Sequence, residues 1–456
     1  MCLPCEPPSH NIYKSILLGV SMSISNLLLQ VMNPTTPATQ RPKNAECDWP
    51  HTAWSTACST EFQHRVWWSD RVLTPGNLAF AAALAQVHGH CVAFIDSGVA
   101  QCWPKLSHEL MAAFAALQHP PMATGPKNVH AEIISPLQQS AHTASAQTLL
   151  PSLAHVEIIP GGEACKDGLQ FAQRVAKICF DHGVSRHGAV IAIGGGAVLD
   201  AVGFGAAIAH RGVRMIRIPT TTLAQDDSAM GVKCGVNMFG HKNALGCFAT
   251  PWAVLCDEQF LSTLPSEHWL GGFSEAVKIA LLKDAPLFDQ LETCATSIVS
   301  RDMKFAAPIL RRSAWLHREH ILNGGDPFEV GSARPLDHGH WSAHRLETLS
   351  HFALPHGQAV SIGIALDACL AVELHLLDQS VAARIIRLLQ SLQLPVWHSL
   401  LESDQELFEG LEQFRQHLGG NLAIPLLTAI GATREITRIN VDDFRKAVTV
   451  LRTLAS

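Results

Sequence analysis

Three histidines suggest what chemistry this chain can do. LDHGHWSAHRLE, residues 336–347, sets His340 and His344 four apart, and LPHGQ follows with His356. On a helix, positions i and i+4 share a face. His340 and His344 can therefore point into one site, while His356, directly after Pro355, opens the next helical run. A Zn²⁺ ion that keeps a position open for substrate is held by three protein ligands, commonly imidazoles with one carboxylate. The carboxylate candidate is Glu275 in GGFSEAVKIA, with Lys278 one turn later on the same side.

A second cluster lies upstream. GAVIAIGGGAVLDAVGFGAAIA, residues 188–209, joins a strand-length apolar run at 189–193 to a small-residue helix through Gly194, Gly195 and Gly196. Without Cβ atoms such a turn lets backbone approach a pyrophosphate, and the following helix offers unpaired N–H groups. It lacks the GxGxxG spacing of the common dinucleotide fingerprint. IPTTTLAQDDSAMGVKCGVNMFGHKN, residues 218–243, then gathers Thr220, Thr221, Asp227, Lys233, Lys242 and Asn243 into a segment that reads as loop-rich. Lysines and an asparagine suit a phosphate, as charge partners and amide donor.

Positioning these groups requires elements on both sides. HCVAFIDSG (90–98) predicts a buried strand ending on Asp96, and AHVEIIPGGEACK (154–166) a second one running into a glycine turn. Short β-branched runs alternating with helices give an α/β layout up to about residue 258. Beyond it helical periodicity dominates, in EAVKIALLKDAPLFDQLE, VSIGIALDACLAVELHLL and AARIIRLLQSLQL. The expected organisation is a poorly ordered extension over 1–58, an α/β domain over 59–258 and a mostly helical domain over 259–456.

With 456 residues, 47% of them hydrophobic and 16% charged, the chain can bury real cores. A net charge of −6 and the absence of a Lys/Arg run argue against nucleic acid as a partner. The apolar run at 16–32 is interrupted by Ser, Asn and Gln and is marginal for a membrane span, so no membrane partner is expected. Thirteen scattered cysteines, Cys91, Cys165, Cys234 and Cys256 among apolar neighbours, read as reduced core thiols of a cytoplasmic protein. Cys2 and Cys5 form a lone CxxC, a weak zinc signal.

In order along the chain these motifs resemble the sugar-phosphate cyclases, the superfamily of 3-dehydroquinate synthase, over roughly residues 90–431. PGGEACK resembles the family's PGE..K turn and IGGGAVLD its GGGVxGD. RGVRMIRIPTTTLAQDDSAMGVKCGVN with GHKN resembles RGxxxxxxPTTLLAQxDSSxGGKxxxN…GKN. LSTLP and FSEAVK resemble LxTLP and AEVIK; LDHGHWSAHRLE and LPHGQAV resemble LNxGHTxGHAxE and xHGExV. The resemblance implies a dehydroquinate synthase-like fold, a Rossmann-like NAD-binding domain followed by a metal-binding helical one. It implies Zn²⁺ or Co²⁺ on Glu275, His340 and His356, with His344 as proton relay. NAD contacts fall on Asp96, Glu163, Lys166, Gly194, Gly195, Gly196, Asp200, Thr220, Thr221, Lys242 and Thr263. Asp227, Lys233, Lys278 and Asn243 would line the junction with a sugar phosphate, and Arg211 resembles a phosphate-binding arginine lent across a homodimer interface.

Several positions depart from dehydroquinate synthase. The Arg seven residues before the first zinc histidine and the Lys twenty-one before it, which grip a substrate carboxylate, read Ala333 and Glu319 here; Arg334 is one position from the first. The Asn of LNxGH is Asp337, HGE becomes HGQ with Gln358, and Arg415 in FRQHLGGNLAIPLL stands where a phosphate-binding lysine is expected. Gaining two carboxylates disfavours a desolvated 2-keto acid. The mixture resembles the valiolone-synthase-like and EboD-like branches, which implies a C7 ketose phosphate cyclised by transient oxidation, phosphate β-elimination, re-reduction and aldol closure. The alternatives are a true 3-dehydroquinate synthase, a glycerol-dehydrogenase-type alcohol dehydrogenase, and a non-catalytic descendant.

Overall fold

Parallel strands need a crossover between neighbours, and short β-branched runs separated by helices supply it. The computed structural model describes residues 61–118, 150–324, 328, 335–417, 420 and 422–455. The extension expected over 1–58, Cys2 and Cys5, and Ala333 and Arg334 lie outside them. By its contacts the chain divides into Met1–Glu61 and Phe62–Ser456, and every element below belongs to the second unit.

Strands β1 (Val66–Trp68), β2 (His90–Asp96), β3 (Ser152–Ile159), β4 (Ala189–Gly194), β5 (Arg214–Pro219) and β8 (Ala253–Cys256) form one sheet in the order β1-β8-β5-β4-β2-β3. All its pairings are parallel. Alternate residues of the central strands face two separate cores: Val92, Phe94, Val190 and Ala192 on one side, Cys91, Ala93, Ile95, Ile191 and Ile193 on the other, the period of two that a strand dictates. The chain leaves β2 outward to β3 and returns to the other flank of β2 as β4. Open parallel sheets bind ligands beyond the C-terminal strand ends at such a switch. Asp96 ends β2 there, and Gly194, level with Pro219, ends β4.

Two expectations are corrected here. The three glycines are not a separate turn: Gly194 completes β4, Gly195 caps the helix Gly196–Ile208 and Gly196 begins it. The polar segment 218–243 is not loop-rich. It folds into one π-helical turn, Ala224–Ser228, and one strand of an antiparallel hairpin, β6 (Lys233–Met238) with β7 (His241–Phe248). The guanidinium of Arg217, 1% exposed, fastens this segment by donating to the carbonyls of Ala229, Gly231 and Lys233.

The α-helices after β8 are Ser266–Lys283, Ala285–Val299, Met303–Asn323, His340–Leu349, His356–Glu373, Gln379–Ser391, Asp404–His417 and Val441–Ala455, packed around Phe273, Val277, Trp341, Ile362, Leu389 and Phe444. A hairpin of β9 (Ile424–Ala429) and β10 (Ala432–Ile436) joins them, which helical periodicity did not announce. In the helix Ser266–Lys283 every residue from Trp269 to Leu282 is buried, so its polar members Ser274, Glu275 and Lys278 must find partners inside. It crosses the helix His356–Glu373 at Gly271 and Gly357, where a Cβ on Gly357 would stand 2.2 Å from the Gly271 carbonyl oxygen. Only glycine allows that approach, and it sets the helix carrying Glu275 against the helix that begins with His356. Among the described residues no helix is long and apolar enough to cross a membrane, and the described cysteines are free thiols.

Candidate metal and nucleotide site

Three helices deliver the candidate metal-ligating groups. Glu275 comes from the middle of Ser266–Lys283, His340 is the first residue of His340–Leu349, and His356 the first of His356–Glu373. His340 Nε2 lies 3.4 Å and His356 Nε2 3.6 Å from Glu275 Oε1. The three residues offer ligand atoms all within 4.8 Å of one another. Both rings turn Nε2 inward because Nδ1 is engaged elsewhere, on the His338 carbonyl for His340 and on Glu347 for His356. His340 is also braced through its neighbours on either side. Asp367, fully buried, accepts from Gly339 N at 2.7 Å and Trp341 Nε1 at 2.8 Å. Gly339 takes φ +76°, a left-handed turn open to glycine.

Glu275 is 0% exposed and neither of its oxygens accepts a well-directed hydrogen bond, although Lys278 Nζ stands 2.5 Å from Oε2. Burial alone would raise its pKa; Lys278, His340 and His356 outweigh it and hold the carboxyl well below the usual range. A buried carboxylate lacking donors, faced by two imidazole Nε2 atoms, is the donor set a divalent ion fits. Burial pulls the His356 pKa down, but Glu347 and Glu275 push it up to about 9, so proton and cation compete for the same Nε2 lone pair. His344 behaves oppositely. Burial, with His340 beside it, holds it well below the histidine range, leaving a neutral imidazole whose ring centroid lies 5.5 Å from that of His340.

Next to this cluster, Asp227 Oδ1 lies 3.0 Å from His317 Nδ1. Lys278 is drawn toward the charged state against its burial by Glu275, Asp227 and Asp337. Asp337 Oδ2 is buried without a hydrogen-bond partner. Asp226, fully buried beside Asp227, is pushed well up by burial and by the Asp227 and Glu275 charges.

Some of the expected nucleotide-side residues contact one another, and others are held by their own elements. Lys166 Nζ holds Asp200 at 2.7 Å and donates to Asn243 Oδ1. Asn237 Nδ2 donates to Glu163 at 2.7 Å. Asp96 caps the helix Ser97–Cys102 through Gly98 N. Thr220 is 2% exposed and its hydroxyl has no partner, Thr221 accepts from Ala224 N, and Thr263 accepts from Trp103 Nε1. Lys233 begins β6 and is exposed; Arg211, also exposed, sits at φ +62° beyond the helix Gly196–Ile208.

Two substrate-side residues have partners within the chain. Glu319 does not bring a bare carboxylate into the site: it pairs with Arg318 at 2.9 Å and accepts from Asn323 at 2.5 Å. His317, two residues earlier on the same helix, is the residue that meets Asp227. Arg415 clamps Glu412 and donates to the Gly420 carbonyl.

Sequence reasoning also passed over Glu347, although its spacing carried a signal: His340, His344 and Glu347 fall at i, i+4 and i+7 on one helical face. No local pattern marked His317; only the fold brings it to Asp227.

Sequence models of the 3-dehydroquinate synthase N-terminal and C-terminal regions match residues 156–271 and 272–415, together more than half the chain. A 3-dehydroquinate synthase of Sulfurisphaera tokodaii is 32% identical over 301 residues, 65% of this chain and 85% of that protein. A 2-epi-5-epi-valiolone synthase of an Actinomyces species is 35% identical over 279 residues, 60% of this chain and 73% of that one. Among solved structures, the 2-epi-5-epi-valiolone synthase of Streptomyces hygroscopicus subsp. jinggangensis 5008, with NAD⁺ and Zn²⁺ bound, superposes with a TM-score of 0.73 at 27% identity, covering 88% of this chain and 99% of that one. A probable glycerol dehydrogenase from Sinorhizobium meliloti 1021, at a TM-score of 0.55 and 15% identity over 86% of this chain and 97% of that one, shares the fold.

Proposed function

We propose that this chain, which belongs to the sugar-phosphate cyclase superfamily of 3-dehydroquinate synthase and its relatives, converts a C7 ketose phosphate without a carboxylate into a carbocycle. One observation carries the reading: the buried Glu275 carboxylate, without well-directed donors, meets His340 Nε2 and His356 Nε2 beside a neutral His344. When bound, NAD⁺ would take a hydride and give it back within one turnover, while Zn²⁺ or Co²⁺ on these three residues would acidify the hydroxyl being oxidised.

The chain's own groups do the rest. His344 receives the hydroxyl proton and later returns it. Lys278, held charged by Glu275, Asp227 and Asp337, and Lys233 with Asn243 bind the phosphate and steady it as it leaves the β-carbon, while the C–H next to the transient ketone gives its proton to a phosphate oxygen. His317 positions Asp227. The helix start at Gly195 and Gly196, with Asp96, Glu163, Lys166, Asp200, Thr220, Thr221, Lys242 and Thr263, forms the nucleotide side. Residues 59–258 and 259–456 then act as the two domains flanking the site, and in a homodimer Arg211 reaches the phosphate bound by the other copy.

Substrate choice rests on Asp337. Its buried oxygen, without a hydrogen-bond partner, would face a substrate carboxylate as a like charge, a cost of several kcal/mol when both are desolvated. Sedoheptulose 7-phosphate and a C7 sugar phosphate bearing a 2-keto acid, each incubated with the purified protein, NAD⁺ and Zn²⁺, separate the readings. Inorganic phosphate released from the first, with no net NADH, is the expected result. Efficient cyclisation of the second makes the chain a 3-dehydroquinate synthase, and NADH rising with product on an unphosphorylated polyol makes it an alcohol dehydrogenase.

A further inference from the structure

Both edges of the His356 ring are occupied. Nε2 faces Glu275 Oε1 at 3.6 Å, and Nδ1 lies 3.1 Å from Glu347 Oε2. Glu347 is only 3% exposed, and its other oxygen accepts from Lys242 Nζ at 2.5 Å. Lys242 comes from β7, in the hairpin and not on the helices that carry Glu275, His340 and His356. It also stands 4.0 Å from Glu163, which is tied through Asn237 to Asn243, and from there through Lys166 to Asp200. An unbroken run of polar contacts therefore leads from the metal-ligating helices to the helix Gly196–Ile208.

We propose that Glu347 is a positioning residue for His356: it accepts the Nδ1–H, fixes the tautomer that presents Nε2 to the ion, and through Lys242 couples the metal site to the nucleotide-side hairpin. The inference rests on the reading of Glu275, His340 and His356 as metal ligands. A neutral imidazole has two tautomers, and only one leaves the Nε2 lone pair free. The partner of the other nitrogen decides between them and sets the ring's orientation. A buried carboxylate with no cation is costly, so the hairpin that brings Lys242 and the helix that brings Glu347 hold each other in place. Lys242 touches no ligand of the ion, yet its loss must loosen the ring that does. Linkage makes this reciprocal: whatever nucleotide binding does to the hairpin, it does to metal affinity, and the ion does the same to nucleotide affinity.

One rival geometry uses the same residues. His344, Glu347 and His356 also meet the spacing of a three-ligand cluster, with Glu347 itself on the ion. That arrangement needs His356 to bind through Nδ1, and leaves Glu275 buried without a cation beyond Lys278.

The test uses the full chain loaded with Co²⁺, as wild type and as Glu347→Ala, Glu347→Gln, Lys242→Met, the Glu347→Ala/Lys242→Met double variant, and Glu275→Ala. Two readouts are followed, the visible spectrum of the bound Co²⁺ and its transfer to a competing chelator. Glu347→Ala should show an altered spectrum and an affinity weaker by about 10- to 100-fold. Lys242→Met should weaken it in the same direction by less, and the double variant should be no worse than Glu347→Ala alone. The isosteric Glu347→Gln answers the same question where the alanine variant does not fold. NAD⁺ affinity of the metal-free wild type should fall by the factor by which NAD⁺ raises Co²⁺ affinity. A wild-type spectrum and affinity in both Glu347 variants, with Glu275→Ala stripped of Co²⁺, overturns the role of Glu347 and leaves the metal site standing. Glu275→Ala retaining Co²⁺ while Glu347→Ala loses it moves the ion to the rival cluster. Retention in all variants removes the metal-site reading itself.

Discussion

Glu275 sits at 0% exposure on a helix buried along its length, with the two imidazoles set by helix starts and backbone braces. On the nucleotide side, Lys233, Asn243 and Arg211 are exposed on a hairpin and a turn, and Lys166, Asp200 and Asn243 satisfy one another. One side is preorganised for a cation; on the other, Lys166, Asp200 and Asn243 would exchange partners to bind a nucleotide. Preorganised groups lose little entropy on binding, so each ligand counts almost fully. Groups that trade one hydrogen bond for another gain only the difference, about 0.5–1.5 kcal/mol for a typical bond. Substitutions should therefore act all-or-none on the metal side and by degrees on the nucleotide side.

The largest effect expected is at His356. His356→Ala removes one of three ligands, and metal analysis should fall from one equivalent to none while the circular dichroism of the fold persists. A full equivalent of metal retained by this variant would falsify the ligand assignment and erase the contrast between the two sides. His344→Ala comes next. It should keep its metal and lose turnover by about 10²–10⁴-fold, the scale for a positioned proton-transfer group. Loss of metal instead would place His344 among the ligands.

A smaller change probes the helix crossing. Alanine is ordinarily favoured over glycine inside a helix by about 0.5–1 kcal/mol. At Gly357 the new methyl would stand 2.2 Å from a backbone carbonyl that cannot rotate away, and overpacking of this kind costs about 1–3 kcal/mol. The second term wins, so Gly357→Ala should lower the denaturation midpoint at unchanged slope and weaken metal binding as His356 shifts from Glu275. A more stable variant with unaltered metal affinity would mean that the crossing does not set the site.

How far the sequence reached follows the same division. The sharing of one helical face by His340 and His344 was legible because helical spacing is rigid, and Pro355 marked the start of the helix that His356 opens. Strands β2 and β4 were legible from unbroken apolar runs, and β3 from a run interrupted by His155 and Glu157. The hairpin of β6 and β7 was not, since its strands pair through polar and glycine-rich residues and the pairing is decided by Arg217 fastening the segment before it. His317 and Glu319 mark the limit most clearly. Two residues apart on one helix they point about 200° apart in rotation at 3.6 residues per turn, so a spacing counted across the intervening loop selected Glu319, while the fold turns His317 to Asp227. Buried pairings such as Asp367 with Gly339 and Trp341 are set by packing between distant segments, which no local pattern encodes.

The smallest effect expected separates two duties of Asp96. Its Oδ1 accepts from Gly98 N and caps the helix Ser97–Cys102, and its place at the end of β2, at the switch between β2 and β4, is where a ribose hydroxyl would be received. Alanine would remove both, costing about 0.5–2 kcal/mol of stability for the cap, so weakened NAD⁺ binding in that variant has two explanations. Asparagine keeps an oxygen for Gly98 N, and asparagine and aspartate cap about equally well. It lacks only the charge that strengthens a bond from a ribose hydroxyl, where charged and neutral acceptors differ by about 1 kcal/mol. Asp96→Asn should therefore melt with the wild type and bind NAD⁺ about 5- to 10-fold more weakly, at 1.4 kcal/mol per tenfold, with metal content unchanged. Isothermal titration with NAD⁺ beside a melting curve reads both. An unaltered NAD⁺ affinity would leave Asp96 as a helix cap alone and shift ribose recognition to another strand end. Loss of metal from this variant would show that the two sides are not held by separate means.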